Sequence, residues 1–284
     1  MDHSRSHLQL LTAATMLVLL GLVGAPLRAT PRVDPQTADH HLTPLQWEIE
    51  RQRQRLSSAE IEERREALMR LGSLHRVEAA RVAAGALRDP ASMVRATAAG
   101  AVLSLSPEES VAVLLPLLAD KEEFVRQQVA YALGGTRSRT ATAPLIERLF
   151  DKQDSVRAAA AVSLGQIGDP AAATALAALL SPVPATMPGR KSKKSKGEKN
   201  PFVLRAAAHA LGEIHDRAAV PALLATLQNE QSEADVRREA AVALGAIGDS
   251  TSLPALREAL SVTDPYLSLA AQQAIRKVSK ASRM

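Results

Sequence analysis

The chain has 284 residues, of which 46% are hydrophobic but only 2% are aromatic, and it contains no cysteine. The missing cysteines exclude disulfide bridges, thiolate metal sites and a lipid attached to cysteine. The formal net charge of +5 at pH 7 comes from one segment, residues 181–201, so the sequence excludes an evenly basic protein.

The first predicted element is an export signal over residues 1–29. Residues 6–27 contain no Asp, Glu, Lys or Arg, and Arg5 precedes their apolar centre. This pattern is typical of a signal peptide, with cleavage after Ala25 or Ala29. The alternative is an uncleaved inner-membrane anchor over residues 8–27, because the uncharged run is long enough to span a bilayer. Both interpretations predict an exported protein: cleavage gives a periplasmic or secreted one, and the uncleaved anchor gives one held at the inner membrane.

A polar, disordered linker over residues 30–42 and an N-terminal capping helix over residues 43–57 are expected next. Thr43-Pro44-Leu45-Gln46 has the form of a capping box, with proline at the first helical position. We expect the helix to cover the open end of the first repeat, with Trp47 as its largest covering side chain. The alternative is that Trp47 belongs to a binding site.

Residues 58–284 are predicted to form a solenoid, because the pair Leu-Gly recurs along them. It stands at 71–72, 133–134, 164–165, 211–212 and 244–245, in steps of 62, 31, 47 and 33 residues. A period of this length is typical of stacked two-helix units. We count about six and a half units.

Within a unit, apolar residues lie on one helical stripe, as in Val236, Ala240, Leu244 and Ile247. Gly248 is expected to end this first helix in a left-handed turn. A second helix follows, and in three units it is expected to open with a proline: Pro144, Pro221 and Pro254.

Arginine recurs at one position of the first helix, at 64, 95, 126, 157 and 237. One interpretation is a row of cations that grips an extended anionic ligand. The favoured one is structural: each arginine binds carbonyls or carboxylates of the neighbouring unit, for which Glu123, Asp154 and Asp235 are near in sequence.

The basic segment is predicted to be a disordered loop that interrupts the solenoid at residues 181–201, because it combines proline, glycine and like charges. Glu198 is the only acidic residue of the segment, and the rest of the chain contains 29 basic and 29 acidic residues. A solvated insertion is one interpretation. The other is an electrostatic site for an anionic membrane surface or an acidic partner, with nucleic acid disfavoured because no aromatics are interleaved. The candidate residues are Arg190, Lys191, Lys193, Lys194, Lys196 and Lys199.

The second helices are predicted to provide a partner-binding groove. Counted from the first turn, their third and seventh residues form the core stripe, as in Ile146 with Phe150, Leu176 with Leu180, Leu223 with Leu227 and Leu256 with Leu260. The fourth and fifth residues then point away from the core. Through the six units these outward pairs are Ala84-Gly85, Leu115-Pro116, Glu147-Arg148, Ala177-Ala178, Leu224-Ala225 and Arg257-Glu258. A groove of such residues suits a helix or an extended peptide. The alternative is that they are buried between units. The candidates are Leu115, Glu147, Arg148, Leu224, Arg257 and Glu258.

The repeated Val-Arg, Ala-Leu-Gly, Ile-Gly-Asp and Pro-Ala-Leu elements resemble the HEAT-like repeats of the phycobilisome-lyase type. The resemblance covers residues 58 to 280 and implies an all-α, right-handed, armadillo-like solenoid whose second helices line the concave face. Two units depart from the pattern. The second has Val102-Leu103 where Leu-Gly is expected, and the fifth has Leu204 in the arginine position.

The same resemblance raises an enzymatic alternative, because relatives include phycobilin lyases and deoxyhypusine hydroxylase, an oxidoreductase. The hydroxylase holds two irons with His-Glu pairs that follow the repeat arginine. Here those positions read Gln127-Gln128, Ala158-Ala159 and Arg238-Glu239, and the chain has no His-Glu dipeptide. We therefore expect a non-catalytic scaffold without a cofactor or a metal, which binds a protein or peptide partner.

Overall fold

The computed structural model describes residues 42–181 and 197–282. The predicted signal, nearly all of the linker and five candidate residues of the basic segment lie outside the described residues. These five are Arg190, Lys191, Lys193, Lys194 and Lys196. In the described ranges, no helix is both long enough and apolar enough to cross a membrane.

The described chain is helical and contains no strand, which confirms the predicted all-α solenoid. Helix α1 (Pro44–Arg55) precedes six helix pairs, and α14 (Pro265–Ala281) follows them as a half unit. The first helices are α2 (Ile61–Ser73), α4 (Ser92–Ala101), α6 (Glu123–Gly135), α8 (Asp154–Ile167), α10 (Pro201–Ile214) and α12 (Ala234–Ile247). The second helices are α3 (Val77–Ala84), α5 (Pro107–Leu114), α7 (Thr142–Arg148), α9 (Ala173–Leu180), α11 (Val220–Gln228) and α13 (Leu253–Glu258).

Each first helix packs against the first helix of the next unit, from α2 through to α14. The second helices form the other layer, and the core between the two layers is aliphatic. At the ends of α8 and α12, Gly168 and Gly248 adopt φ of 69° and 74°, as a left-handed helix end requires. His215 holds the same position after α10 with φ of 60°, a conformation that a side chain resists.

The predicted core stripe of the second helices is correct in α9 and α11 but wrong in part elsewhere. In α7 the buried residues are Leu145 and Leu149, while Ile146 and Phe150 are only half-buried. The predicted stripe takes the proline as its first position, but Pro144 is the third residue of α7 whereas Pro221 is the second of α11. In both helices it is the fourth residue, Leu145 or Leu223, that is fully buried.

The stripe also fails at the end of α13, where Leu256 is buried but Leu260 is 41% exposed. The α-helix ends at Glu258, and a 3-10 helix, Ala259–Ser261, continues it. Because a 3-10 helix turns further per residue, Ala259 takes the buried position and Leu260 points outward.

Helix α1 has the capping box that the sequence predicts, with reciprocal hydrogen bonds between Thr43 and Gln46. The expectation that Trp47 covers the first unit is wrong, because this side chain is 60% exposed. The buried residues of α1 are Ile49 and Gln52. Trp47 precedes Ile49 by two residues, which places it on another side of the helix.

The recurring glycines lie where neighbouring first helices approach most closely. A Cβ atom placed on Gly245 would lie 2.7 Å from Ala274 Cα, and one on Gly165 would lie 2.8 Å from Ala210 Cα. At Gly212 the corresponding distance, to Ala243 Cα, is 3.0 Å. Any side chain at these positions would therefore push the two backbones apart, which explains the recurrence of Leu-Gly.

The second unit departs from the glycine pattern, and its first helix is short for that reason. Leu103 holds the position that corresponds to Gly134 in the third unit. A leucine in the close helix contact would clash, and α4 ends at Ala101, two residues earlier. Leu103 is 42% exposed. Helix α4 consequently has 10 residues, whereas α2 and α6 have 13.

Replacing Gly245 with alanine should destabilise the protein by about 1 to 3 kcal/mol, because the added methyl group overpacks the α12–α14 contact. Gly100 is the matched control, since it is exposed in α4 and a Cβ atom placed on it would have nothing within 4 Å. Gly100→Ala should stabilise by up to about 1 kcal/mol through helix propensity. Urea unfolding of both variants measures the effects, and equal shifts of the midpoint would contradict the close-contact explanation.

Candidate functional site

Three of the five repeat arginines are both buried and ion-paired, and Arg126 is one of them. Arg126 donates from Nε and Nη2 to the two carboxylate oxygens of Asp151, each at 2.9 Å. Its Nη1 donates to the carbonyl oxygens of Asp120 at 2.9 Å and Lys121 at 3.2 Å. Both partners of the ion pair are only 6% exposed. This guanidinium therefore has no free face for an external anion.

The same geometry recurs in four successive units, which we call the arginine ladder: Arg64 with Asp89, Arg95 with Asp120, Arg126 with Asp151, and Arg157 with Glu198. Each aspartate joins two units, because its carboxylate binds the arginine of its own unit and its carbonyl oxygen accepts from the next arginine. Asp89, for example, binds Arg64 through its carboxylate and accepts from Arg95 Nη1 at 2.8 Å.

The ladder confirms the structural interpretation of the arginine row but corrects its partners. The ladder arginines bind carboxylates of the loops that end each unit. They do not bind Glu123, Asp154 or Asp235, which are nearer in sequence. Asp89, Asp120 and Asp151 each lie 25 residues beyond their arginine. No local spacing rule links residues so far apart, and the sequence gives no signal for the pairing beyond the repetition itself.

Glu198 replaces the aspartate for Arg157 and belongs to the end of the basic segment. Its carboxylate accepts from Arg157 Nε at 2.6 Å and from the N–H groups of Lys199 and Asn200, each at 2.8 Å. The side chain of Asn200 also binds Asp154. The only acidic residue of residues 181–201 thus joins this segment to α8, and Lys199, a candidate of the electrostatic loop, lies directly beside this anchor.

The ladder ends in the fifth unit, where Leu204 occupies the arginine position. Arg205 lies 5.8 Å from the centre of the Phe202 ring and is exposed. In the sixth unit the carboxylate partner changes: Arg238 binds Asp264 at 2.9 and 3.0 Å, whereas Arg237 donates to the carbonyl oxygen of Leu227.

Asp120, Asp151 and Glu198 of the ladder have lowered pKa values. Burial raises the pKa of Asp151, but hydrogen bonds from Arg126 and from the N–H of Gln153, with the charge of Arg126, outweigh burial and lower it. The pKa of Asp120 is lowered in the same way through Arg95, and that of Glu198 through Arg157. These groups therefore remain ionised at neutral pH and contribute stability that is lost in acid.

The candidate groove residues differ in their surroundings. Leu115 and Leu224 are half-buried and pack against the core. Arg148 donates from Nη1 to the carbonyl oxygen of Leu118 at 2.9 Å, which joins α7 to the preceding unit. Glu147 is exposed, 3.5 Å from Arg148. Arg257 and Glu258 are both exposed on α13.

An open cleft of about 480 Å³ lies between the second helices of the first two units, and we call it the apolar cleft. Its wall on the first unit is formed by the end of α3 and the 3-10 helix Gly85–Arg88, and its wall on the second by α5 and the 3-10 helix Leu115–Ala119. Arg88 is its only charged lining residue; the others are Ala84, Gly85, Leu87, Ala112, Val113, Pro116 and Leu117. Two of the predicted outward pairs, Ala84-Gly85 and Leu115-Pro116, thus supply three of its residues.

A second cleft of about 650 Å³, which we call the basic cleft, lies between α1 and α3. It contains three arginines, Arg53, Arg81 and Arg88, together with Glu78 and Asp89. Gly85 and Arg88 line both clefts, so the two form one continuous surface on the second-helix layer.

Two other clefts differ in chemistry. A polar one of about 750 Å³ beside α13 includes Glu230 and Glu258. One of about 370 Å³ on the first helices has the aromatic side chains of Tyr131 and Phe202 around a floor that includes Ala158. Among the described residues, no group of three or more His, Cys, Asp or Glu side chains is arranged to hold a metal ion.

A family profile described as HEAT repeats matches residues 49–134, 113–186 and 195–276. An engineered protein of 21% identity has a TM-score of 0.50 over 81% of this chain and 68% of its own. The Escherichia coli protein YibA, 20% identical, has a TM-score of 0.50 over 81% of this chain and 92% of its own. The complex of CpcE and CpcF of phycocyanin lyase from Nostoc sp. PCC7120, also 20% identical, has a TM-score of 0.49 over 88% and 99% of the two chains. No curated protein sequence matches. At these identities the solved structures show a shared fold alone.

Asp151→Ala should destabilise the protein by roughly 3 kcal/mol at pH 7, because it leaves the buried Arg126 guanidinium without its counterion. The lowered pKa makes this contribution fully present above the unfolded value of about 3.9 and lost as the pH falls through the folded value. Urea unfolding of wild type and variant at pH 7 and in acid should therefore show a difference that shrinks below about pH 4. Arg205→Ala, at an exposed site, is the control and should change stability by about 0.5 kcal/mol or less. A difference between wild type and Asp151→Ala that does not change with pH would contradict the role of the ionised pair.

Proposed function

This chain belongs to the HEAT repeat family, and we propose that it is a non-catalytic scaffold that binds a partner protein or peptide on its second-helix layer. The observation that supports the proposal is the apolar cleft between α3 and α5. It is open to solvent, and seven of its eight lining residues are apolar or glycine.

The shape of the cleft suits a partner helix or an extended peptide. Gly85 and the alanines keep its walls low, so that side chains of a partner can reach the floor. Apolar surface that stays exposed on a folded chain tends to mark an interaction site. The walls are held in place by the ladder, since the loop that follows the Gly85–Arg88 wall contains Asp89, whose carboxylate binds Arg64. A preorganised cleft loses little conformational entropy on binding.

An enzyme, or an enzyme subunit of the phycobilin-lyase or deoxyhypusine-hydroxylase kind, is the alternative that the family resemblance raises. The enzyme would need a bound metal or a chromophore, and the scaffold needs neither. Iron at stoichiometric levels in the purified protein, or a chromophore transferred by it, would favour the enzyme and contradict the scaffold.

Replacing Gly85 with leucine should block partner binding without unfolding the protein. Gly85 has helical φ and ψ of −58° and −34°, and a Cβ atom there meets nothing within 4 Å. The leucine side chain would therefore extend into the cleft without strain. Gly100→Leu is the matched control, because Gly100 has equal space but lies on α4, away from the cleft lining.

The measurement is crosslinking in the native cell envelope with tagged full-length chains, followed by quantitative mass spectrometry. We expect partners that wild type and Gly100→Leu retain equally and that Gly85→Leu loses by about ten-fold or more, equal to 1.4 kcal/mol. Circular dichroism checks that all three chains are folded. An unchanged set of captured proteins with folded Gly85→Leu would reject the apolar cleft as the binding site.

We also propose that the scaffold acts outside the cytoplasm, on the basis of the uncharged run at residues 6–27. The mature chain is expected to begin between Pro26 and Pro31, since cleavage after Ala25 or Ala29 leaves Pro26 or Thr30 as its first residue. N-terminal sequencing of protein from fractionated cells tests this proposal. An intact Met1 in a soluble cytoplasmic fraction would contradict it, whereas an intact Met1 in the membrane fraction would indicate the uncleaved anchor.

A further inference from the structure

We infer that the segment bound in the apolar cleft is acidic: an amphipathic peptide or helix whose apolar side chains enter the cleft while its carboxylates bind Arg53, Arg81 and Arg88. This inference rests on the proposed function and adds the chemistry of the partner. It follows from the continuity of the two clefts, which share Gly85 and Arg88.

The three arginines come from three different elements that surround one opening. Arg53 is in α1, Arg81 is in α3 and Arg88 is in the 3-10 helix that follows α3. All three are exposed. A partner that lies in the apolar cleft and continues past Gly85 therefore reaches a surface with three guanidinium groups.

The carboxylates in the basic cleft do not balance these arginines. Asp89 is already bound by Arg64 at 2.8 and 3.0 Å, which leaves Glu78 as the one other acidic residue of the lining. Arg53 lies 3.3 Å from Glu50, and Arg81 lies 3.5 Å from Glu109. Both of these pairs are well exposed, with side-chain exposures between 45% and 65%. Exposed pairs contribute little, so the arginines can exchange these contacts for the carboxylates of a partner.

A protein segment fits this surface better than a nucleic acid does. The planar guanidinium suits both carboxylate and phosphate, and charge alone does not distinguish the two. However, the described lining of the two clefts contains no aromatic side chain on which a base could stack. The adjacent apolar walls instead suit aliphatic side chains, which an amphipathic peptide supplies together with its carboxylates.

The test uses the full chain and three labelled synthetic helices that share one leucine stripe and carry Glu, Gln or Lys at all other positions. Fluorescence anisotropy measures their binding. The Glu helix should bind about ten-fold more tightly than the Lys helix, with the Gln helix between them. The difference should narrow as salt is raised, because exposed charges are screened.

Two variants assign the preference to the basic cleft. The double variant Arg81→Glu with Arg88→Glu should reverse the order, so that the Lys helix binds more tightly than the Glu helix. The double variant Arg205→Glu with Arg276→Glu is the matched control: it makes the same charge change at exposed arginines of α10 and α14 and should leave the order unchanged. Circular dichroism confirms that the charge variants are folded.

The outcomes separate the two proposals. Equal binding of the Glu and Lys helices, with binding lost in Gly85→Leu, would overturn the acidic partner and leave the apolar cleft as a binding site. Binding that Gly85→Leu does not weaken, or no binding of any helix, would overturn both. Displacement of the Glu helix by single-stranded DNA at lower concentration than by unlabelled Glu helix would replace the acidic peptide with a nucleic acid.

Discussion

The rest of this structure depends on the bond between one guanidinium and two loops. Each ladder arginine reaches the carbonyl oxygens of the loop before its helix and, through the first three units, the aspartate of the loop after its second helix. The aspartate in turn presents its own carbonyl to the next arginine. Consecutive units are thus joined by charge-assisted hydrogen bonds at the loops as well as by packing. Because the second helices lie between these loops, the position of the apolar cleft depends on the same contacts.

The aliphatic core alone would leave the angle between units poorly determined. Alanine and leucine pack well but make no directional contacts, and a solenoid has only nearest-neighbour interfaces to specify its geometry. Two directional constraints supply what the core lacks. The glycines hold the first helices at backbone contact, as between Gly245 and Ala274. The ladder orients the opposite ends of the first four units. Beyond Leu204 the second constraint changes, and the sixth unit is joined to α14 by Arg238 and Asp264 instead.

The sequence predicts features that repeat along the chain better than those that occur once. The Leu-Gly interval and the apolar stripe identify the two-helix units, since both follow from helix geometry and recur five or six times. The register of α7 could not be predicted from Pro144, because this proline is the third residue of its helix whereas Pro221 is the second of α11, although a three-residue 3-10 turn precedes both helices. The pairing of a ladder arginine with an aspartate 25 residues later depends on tertiary contacts that no local spacing encodes. The same holds for the exposure of Trp47. The outward pairs of the second helices predict three residues of the apolar cleft, Ala84, Gly85 and Pro116. The basic cleft could not be predicted, because it forms only where α1 packs beside α3.

The Glu198 anchor makes the repeat phase independent of the length of the segment before it. A glutamate is one methylene longer than the aspartate it replaces, and it reaches Arg157 from the residues that lead directly into α10. The fifth unit is therefore positioned by this contact and by the packing of α10 against α8, and not by a count of residues after α9. Over evolutionary time, residues could be gained or lost between Ser181 and Gly197 without shifting the later units out of register. The same property makes this junction a natural place to graft a reporter or a whole domain onto the scaffold.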